Sequence, residues 1–291
     1  MPAAAIALPP AHIIDDLVLS ALEEDGAHDD VTTRALVQPQ QWGHGMFVAK
    51  DAGVISGLPV AAAAMTAFTD EISFDALVED GERVSAGTEL AEVEGPLAAI
   101  LSTERVALNF LQRMSGVATL TRQFCDSVVG TRARILDTRK TTPGLRDLER
   151  YAVRCGGGAN HRFNLSSGVL IKDNHIAAAA QRGITDVADV VLLARNSSPH
   201  TMRIEVEVTT VTQLMEALQG AADIILLDNM ARDQIREAVS TIAGRALVEA
   251  SGGVTMETVR EIAEAGVDFI SIGALTHSAP ALDISLEVAS A

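Results

Sequence analysis

Four stretches decide the fold: Ile204-Glu205-Val206-Glu207-Val208, Ile224-Ile225-Leu226-Leu227-Asp228, Ala246-Leu247-Val248-Glu249-Ala250 and Phe269-Ile270-Ser271-Ile272-Gly273. They begin 20, 22 and 23 residues apart, and helical patterns over 211–218, 232–242 and 256–265 separate them. Strands alternating with helices of that length build parallel βαβ units. Two earlier strand-like runs, at 134–137 and 169–172, extend the series. The spacing suits closure into a β/α barrel, although a doubly wound open sheet shares the pattern. No G-x-G-x-x-G follows the first strand, which weakens a dinucleotide-binding version.

The first half of the chain is mixed. An amphipathic helix is expected over 12–24, with Ile13, Ile14, Leu17, Ala21 and Leu22 on one face. Strand-like pieces lie near 46–50 and 71–77. Gly57-Leu58-Pro59 opens an alanine-rich helix, with the proline suited to a first turn. The run 79–90 resembles the turn-and-strand pattern of lipoyl or biotin carriers, but residues 51–139 hold no lysine to carry a group, so a structural β-element is the simpler reading. A helical pattern covers 96–129, with a break expected at Ser115-Gly116. Within it Ser102-Thr103-Glu104 looks like a helix start. That would put Arg105 in a first turn, where the dipole disfavours a cation and some anion must offset it.

Composition excludes several classes of function. The 291 residues are 48% hydrophobic with only 3% aromatic, so the core is aliphatic. A net charge of −17 argues against nucleic-acid or anionic-membrane binding. No apolar run is long enough for a bilayer span, and the N-terminal stretch lacks the basic residues of a signal peptide, so a soluble, cytoplasmic protein is expected. Cys125 and Cys155 suggest neither a disulfide framework nor a zinc site.

The positive charge is concentrated. Residues 131–172 hold nine of the 22 cations against three acids. Arg146, Arg150 and Arg154, at helical spacing, read equally well as a solvated face. Arg139, Lys140, Arg162 and Lys172 sit in apolar or glycine-rich surroundings, and together with His161 suit a small, multiply charged anion. His161 also reads as a structural histidine with a fixed tautomer. Every barrel strand then delivers polar or glycine residues at its carboxyl end, where β/α barrels place their chemistry. These are Thr138-Arg139-Lys140, Lys172, Glu207, Asp228, Ser251-Gly252-Gly253 and Gly273-Ala274. Glu207 and Asp228 are suited to ribose hydroxyls or Mg²⁺, or simply to pairing with the lysines. The glycine-containing loops suit a phosphate, each expected ahead of a helix whose dipole helps. Asp173 and His175 are too few for a convincing metal site. No Ser elbow, Cys/His pair or zinc motif offers a nucleophile; a Schiff base on Lys140 or Lys172 is the chief chemical rival.

The runs Thr103–Arg113, Asp137–Arg146, Gly156–Arg162 and Lys172-Asp173-Asn174-His175, with Leu226–Met230, Glu249–Gly253 and Gly273–Ser278, resemble the quinolinate phosphoribosyltransferases. The resemblance covers nearly the whole chain. It implies an N-terminal α/β sandwich domain (1–130) followed by an open β/α barrel (131–291), the C-terminal tail free to pack on the first domain. It implies a homodimer with scope to associate further, in which Arg105 completes the partner's site. Thr138, Arg139, His161, Arg162 and Lys172 would bind quinolinate. Lys140, Glu207 and Asp228 would face phosphoribosyl pyrophosphate and its Mg²⁺, with the two carboxylates reaching the ion through water. Residues Ser251, Gly252, Gly253, Ile272, Gly273 and Ala274 would hold the 5′-phosphate. The expected reaction yields nicotinate mononucleotide, pyrophosphate and CO₂; a paralogous pyrophosphorylase for another acid is the nearest alternative. Ser167 stands where the family motif has an aspartate.

Overall fold

The computed structural model describes residues 6–290, so the first five residues of the N-terminal stretch lie outside it. In chain order the elements are α1 (Ala11–Asp25), α2 (Val31–Leu36), β1 (Trp42–Ala49), β2 (Gly53–Val54), α3 (Leu58–Thr66), β3 (Ser73–Ala76), β4 (Arg83–Val84), β5 (Glu89–Pro96) and α4 (Leu97–Ser127). Then follow β6 (Arg134–Leu136), α5 (Arg146–Cys155), β7 (Val169–Ile171), α6 (Asp173–Ala180), α7 (Val187–Asn196), β8 (Ile204–Val208), α8 (Val211–Gln219) and β9 (Ile224–Asp228). The last are α9 (Arg232–Ile242), β10 (Leu247–Ser251), α10 (Val259–Glu264), β11 (Phe269–Ser271), α11 (Ala274–His277) and β12 (Ile284–Ser290). The chain forms two compact units: residues up to Arg122 with Thr141–Gly157 and Ala274 onward, and Gln123–Lys140 with Gly158–Gly273.

The first unit is mixed α/β. Its antiparallel sheet runs β12-β1-β5-β3, so the C-terminal strand pairs with β1. Helix α3 starts where expected. Its cap comes from a distant residue: the Asp80 carboxylate accepts the N–H groups of Gly57 and Leu58 at 2.8 and 3.1 Å, satisfying donors a helix start leaves open. Helix α4 departs from expectation twice. It begins at Leu97 directly after β5, which places Arg105 well inside the helix rather than in a first turn, so the dipole argument for an offsetting anion fails. It also runs unbroken through Ser115-Gly116. The glycine is required there by close packing, since a Cβ would lie 1.9 Å from the Pro280 carbonyl oxygen.

Helix α5 is not a solvated face. Glu149 and Arg150 are buried, and Glu149 pairs with Arg113 at 2.6 Å while accepting the N–H and hydroxyl of Thr142. Arg154 donates to the Ala7 carbonyl.

The second unit is a six-stranded parallel sheet in the order β6-β11-β10-β9-β8-β7. Strands consecutive in sequence from β7 to β11 are neighbours, whereas β6 and β7 are the two edges; this is an open β/α barrel. The outward residues of the central strands (Ile204, Val206, Val208, Ile225, Leu227, Val248, Ala250, Ile270) are all buried. The alternate residues face inward, and there the polar groups appear. A period-two pattern inside a parallel strand marks a barrel whose interior is a polar cavity rather than a packed core.

Candidate active site

The register fixes which inward residues share a level. Glu207 pairs with Leu226, and Leu226 with Glu249; Asp228 pairs with Ser251, and Ser251 with Ser271. These carboxyl ends surround a cavity of about 340 Å³, lined by Thr138, Arg139, Lys140, His161, Arg162, Lys172, Glu207, Asp228, Glu249, Ser251 and Ser271, among others. Nine of the residues expected at the site thus share one space.

Asp137, fully buried at the end of β6, delivers two of them. Ala159 pairs along the β6 edge, where its N–H donates to the Ile135 carbonyl and its carbonyl accepts the Asp137 N–H. The Asp137 carboxylate then accepts the Asn160 side chain at 2.6 Å and the His161 N–H at 2.7 Å. His161 and Arg162 are thereby held at the cavity. Arg162 donates to the Gly168 carbonyl at 3.0 Å. Burial and then the Arg139 cation push its pKa down, opposed by Glu205.

Lys172 donates to Glu207. A Schiff-base nucleophile must be a free amine, and this ammonium is engaged in an ion pair. The Lys172 N–H donates to His175 Nδ1 at 2.9 Å, so His175 caps α6. Asp228 accepts from Asn229 at 2.8 Å, and Asn229 N–H donates to the Ser251 carbonyl.

The phosphate-loop residues differ in part from expectation. Gly252 and Gly253 both have positive φ, +90° and +60°. Helix α10, however, begins only at Val259, because Thr255 and Thr258 form a turn ahead of it. The helix dipole therefore does not reach this loop. Gly273 closes β11, and Ala274 opens the single-turn α11 in the other unit. The Ile272 side chain is buried, and its N–H donates to the Leu136 carbonyl. Ser167 accepts the Asn164 N–H at 2.9 Å. Arg105 is exposed on α4 in the first unit.

Glu205 and Glu249 were not evident as site residues. Both face His161: Nε2 lies 3.2 Å from Glu205 and 3.5 Å from Glu249. Burial acts to lower the His161 pKa, while hydrogen bonds to the two carboxylates and their charges raise it. Burial raises the Glu205 pKa. The three donor atoms lie within 4.8 Å of one another, so this cluster could coordinate a divalent metal, provided that Nε2 gave up its hydrogen. Glu207 and Asp228 offer oxygen alone, the donor type that suits Mg²⁺.

A sequence profile of the C-terminal domain of quinolinate phosphoribosyl transferase matches residues 117–287, and one of the N-terminal domain matches residues 30–115. The chain belongs to the quinolinate phosphoribosyltransferase family. Within this family it is 41% identical over 265 residues to a probable nicotinate-nucleotide pyrophosphorylase [carboxylating] of Bacillus subtilis, covering 91% of this chain and 90% of the relative. The like-named protein of Synechocystis is 41% identical over 290 residues, 99% and 96% of the two chains. Among solved structures, NadC from Streptococcus pyogenes superposes with a TM-score of 0.92 at 40% identity, covering 98% and 99%. The nicotinate-nucleotide pyrophosphorylase of Francisella tularensis gives 0.91 at 35% identity over the same shares. As a member of the family, the chain is a phosphoribosyltransferase.

Proposed function

We propose that the cavity at the carboxyl ends of β6–β11 is where quinolinate meets phosphoribosyl pyrophosphate. The activity that goes with the family is decarboxylating quinolinate phosphoribosyl transfer in NAD biosynthesis. The observation that carries the site is the gathering of Arg139, Arg162, Lys172 and His161 in one cavity with Glu207 and Asp228 on adjacent strands. Thr138, His161 and the cations Arg139, Arg162 and Lys172 take the two carboxylates of the diacid. Lys140, Glu207 and Asp228 face the phosphoribosyl group, Mg²⁺ arriving with the pyrophosphate of the substrate. The 251–253 loop, with positive φ at Gly252 and Gly253, takes the 5′-phosphate, and Ile272, Gly273 and Ala274 complete that subsite.

The pyridine nitrogen then attacks the anomeric carbon as the bond to pyrophosphate breaks, through an oxocarbenium-like transition state. Orientation and electrostatic stabilisation of the leaving group supply the catalysis, with no covalent enzyme intermediate. The quaternised nitrogen next holds the electron pair left when the adjacent carboxylate departs as CO₂, and a proton takes its place. On this reading the chain works in the cytoplasm as a homodimer, residues 1–130 forming the domain that lends Arg105 to the partner's barrel. No described helix is long and apolar enough to cross a membrane.

The test is release of pyrophosphate and CO₂ with quinolinate, Mg²⁺ and phosphoribosyl pyrophosphate, set against nicotinate. Arg139→Ala and Arg162→Ala are expected to abolish turnover while the fold survives. Ordinary activity in either variant counts against the site. Mixing Arg105→Ala with Lys172→Ala should restore activity at one site per heterodimer; exchange without rescue refutes the shared site.

A further inference from the structure

Glu205 and Glu249 take no part in the reaction as set out above, yet they are 5% and 1% exposed. Glu205 Oε1 has no hydrogen-bond partner among the described residues, and Glu249 Oε1 has only its ion-pair contact with His161 Nε2 at 3.5 Å. Buried carboxylates with unsatisfied oxygens are costly, so a protein that keeps two needs a return on them. They stand on β8 and β10, flanking β9, and converge on one imidazole.

The other ring nitrogen of His161 decides what they do. Nδ1 accepts the Arg162 backbone N–H at 2.7 Å. The ring hydrogen is therefore on Nε2, directed at the two carboxylates. Below the ring lies a second cavity, of about 700 Å³, at the amino ends of the strands; Arg134, Glu205 and Phe269 line it, and His161, Arg162 and Glu249 line both spaces. His161 thus borders both voids. Asp137 fixes its backbone, and the carboxylate pair fixes its ring.

We propose that Glu205 and Glu249 are positioning residues for the diacid substrate: by locking the His161 ring between the two cavities they set the affinity for quinolinate, without acting on pyrophosphate displacement. This rests on the reading of His161 as part of the quinolinate subsite. A buried pair that merely held the barrel together would affect both substrates alike, whereas this pair should affect one.

The experiment is a double-mutant cycle in the full-length enzyme between His161→Ala and Glu249→Ala, repeated with Glu205→Ala. Each glutamate variant is expected to raise KM for quinolinate about tenfold, the size of a lost charged hydrogen bond. KM for phosphoribosyl pyrophosphate and kcat should stay within about twofold of wild type. Glu249→Gln, which keeps a carbonyl acceptor for Nε2–H, should recover most of the loss. In the His161→Ala background the glutamate substitutions should add little, because their partner is gone. Full additivity, or equal effects on both substrates, overturns the proposal. If the alanine variants fail to fold by circular dichroism, the same cycle with Glu205→Met and Glu249→Met, which refill the space and offer no acceptor to Nε2–H, decides it by the same criterion of additivity. Wild-type turnover of quinolinate separates the two readings. Its absence removes the activity itself, whereas an additive cycle in an active enzyme removes only the role of the glutamates.

Discussion

Lys172 is hydrogen-bonded to Glu207, which joins the residue after β7 to the inward face of β8 at the mouth of the cavity. The ammonium therefore has a counter-charge before substrate arrives, and a substrate carboxylate has to share it. Glu207→Gln removes the competing charge and should tighten quinolinate binding by roughly three- to fivefold, the scale of a partly exposed ion pair. Turnover should fall in the same variant, since Glu207 is also proposed to face the phosphoribosyl group. Calorimetric titration of quinolinate without the second substrate isolates the first effect. Weaker binding would show that Glu207 does not compete with the substrate.

The barrel was legible because its strands are spaced regularly and end in polar residues, and both features are local. What escaped was set by distant partners. Helix α4 starts at Leu97, directly out of β5, so Ser102-Thr103-Glu104 offered a false start inside it. Arg146, Arg150 and Arg154 read equally well as a solvated face because the buried pair that anchors this helix, Glu149 with Arg113, joins residues 36 positions apart. Glu205 carried a usable signal. In Ile204-Glu205-Val206-Glu207-Val208 both glutamates fall on one face, so whatever marks Glu207 as inward marks Glu205 too.

Arg113 supports a stability experiment. Its guanidinium donates to Glu149 and to the carbonyl oxygens of Thr276 and Ala279, while Glu149 also holds Thr142. Glu149→Ala strands a cation beside two carbonyls and should cost about 3–5 kcal/mol, read from denaturant unfolding. Replacing both partners by apolar residues, Arg113→Met with Glu149→Leu, should cost less than the single change. A double variant as unstable as the sum of its parts would contradict a pairwise origin.

Alkaline pH should weaken the first unit. Burial pushes the Cys155 thiol up to about 11, and burial together with the Asp80 charge raises the Tyr151 hydroxyl, which donates to Asp80 at 2.8 Å. The folded chain holds these protons more tightly than the unfolded chain. Their contribution is complete below about pH 9, where an unfolded thiol titrates, and is lost as pH climbs toward 11. Unfolding midpoints measured from pH 7 to 11 should stay flat on this account and then fall. Iodoacetamide at pH 8 should label half-buried Cys125 well before Cys155. Equal labelling of the native protein would mean that the Cys155 pocket opens readily.

Gly252 couples backbone conformation to the site. Its φ of +90° disfavours any side chain, and a Cβ there would lie 2.3 Å from Asn229 Oδ1. Asn229 in turn donates to Asp228, one of the two carboxylates proposed to face the phosphoribosyl group. In Gly252→Ala the methyl must push Asn229 aside, and Asp228 loses the donor that orients it. KM for phosphoribosyl pyrophosphate should therefore rise by about tenfold or more, while quinolinate binding, proposed for Arg139, His161, Arg162 and Lys172, changes little. Global stability should fall by only about 1–2 kcal/mol, since the residue sits in a loop outside the core. Steady-state kinetics with each substrate varied in turn, beside a thermal melt, measure all three. A fall in quinolinate affinity equal to that for phosphoribosyl pyrophosphate would show that the loop distorts the whole mouth of the barrel rather than Asp228 alone.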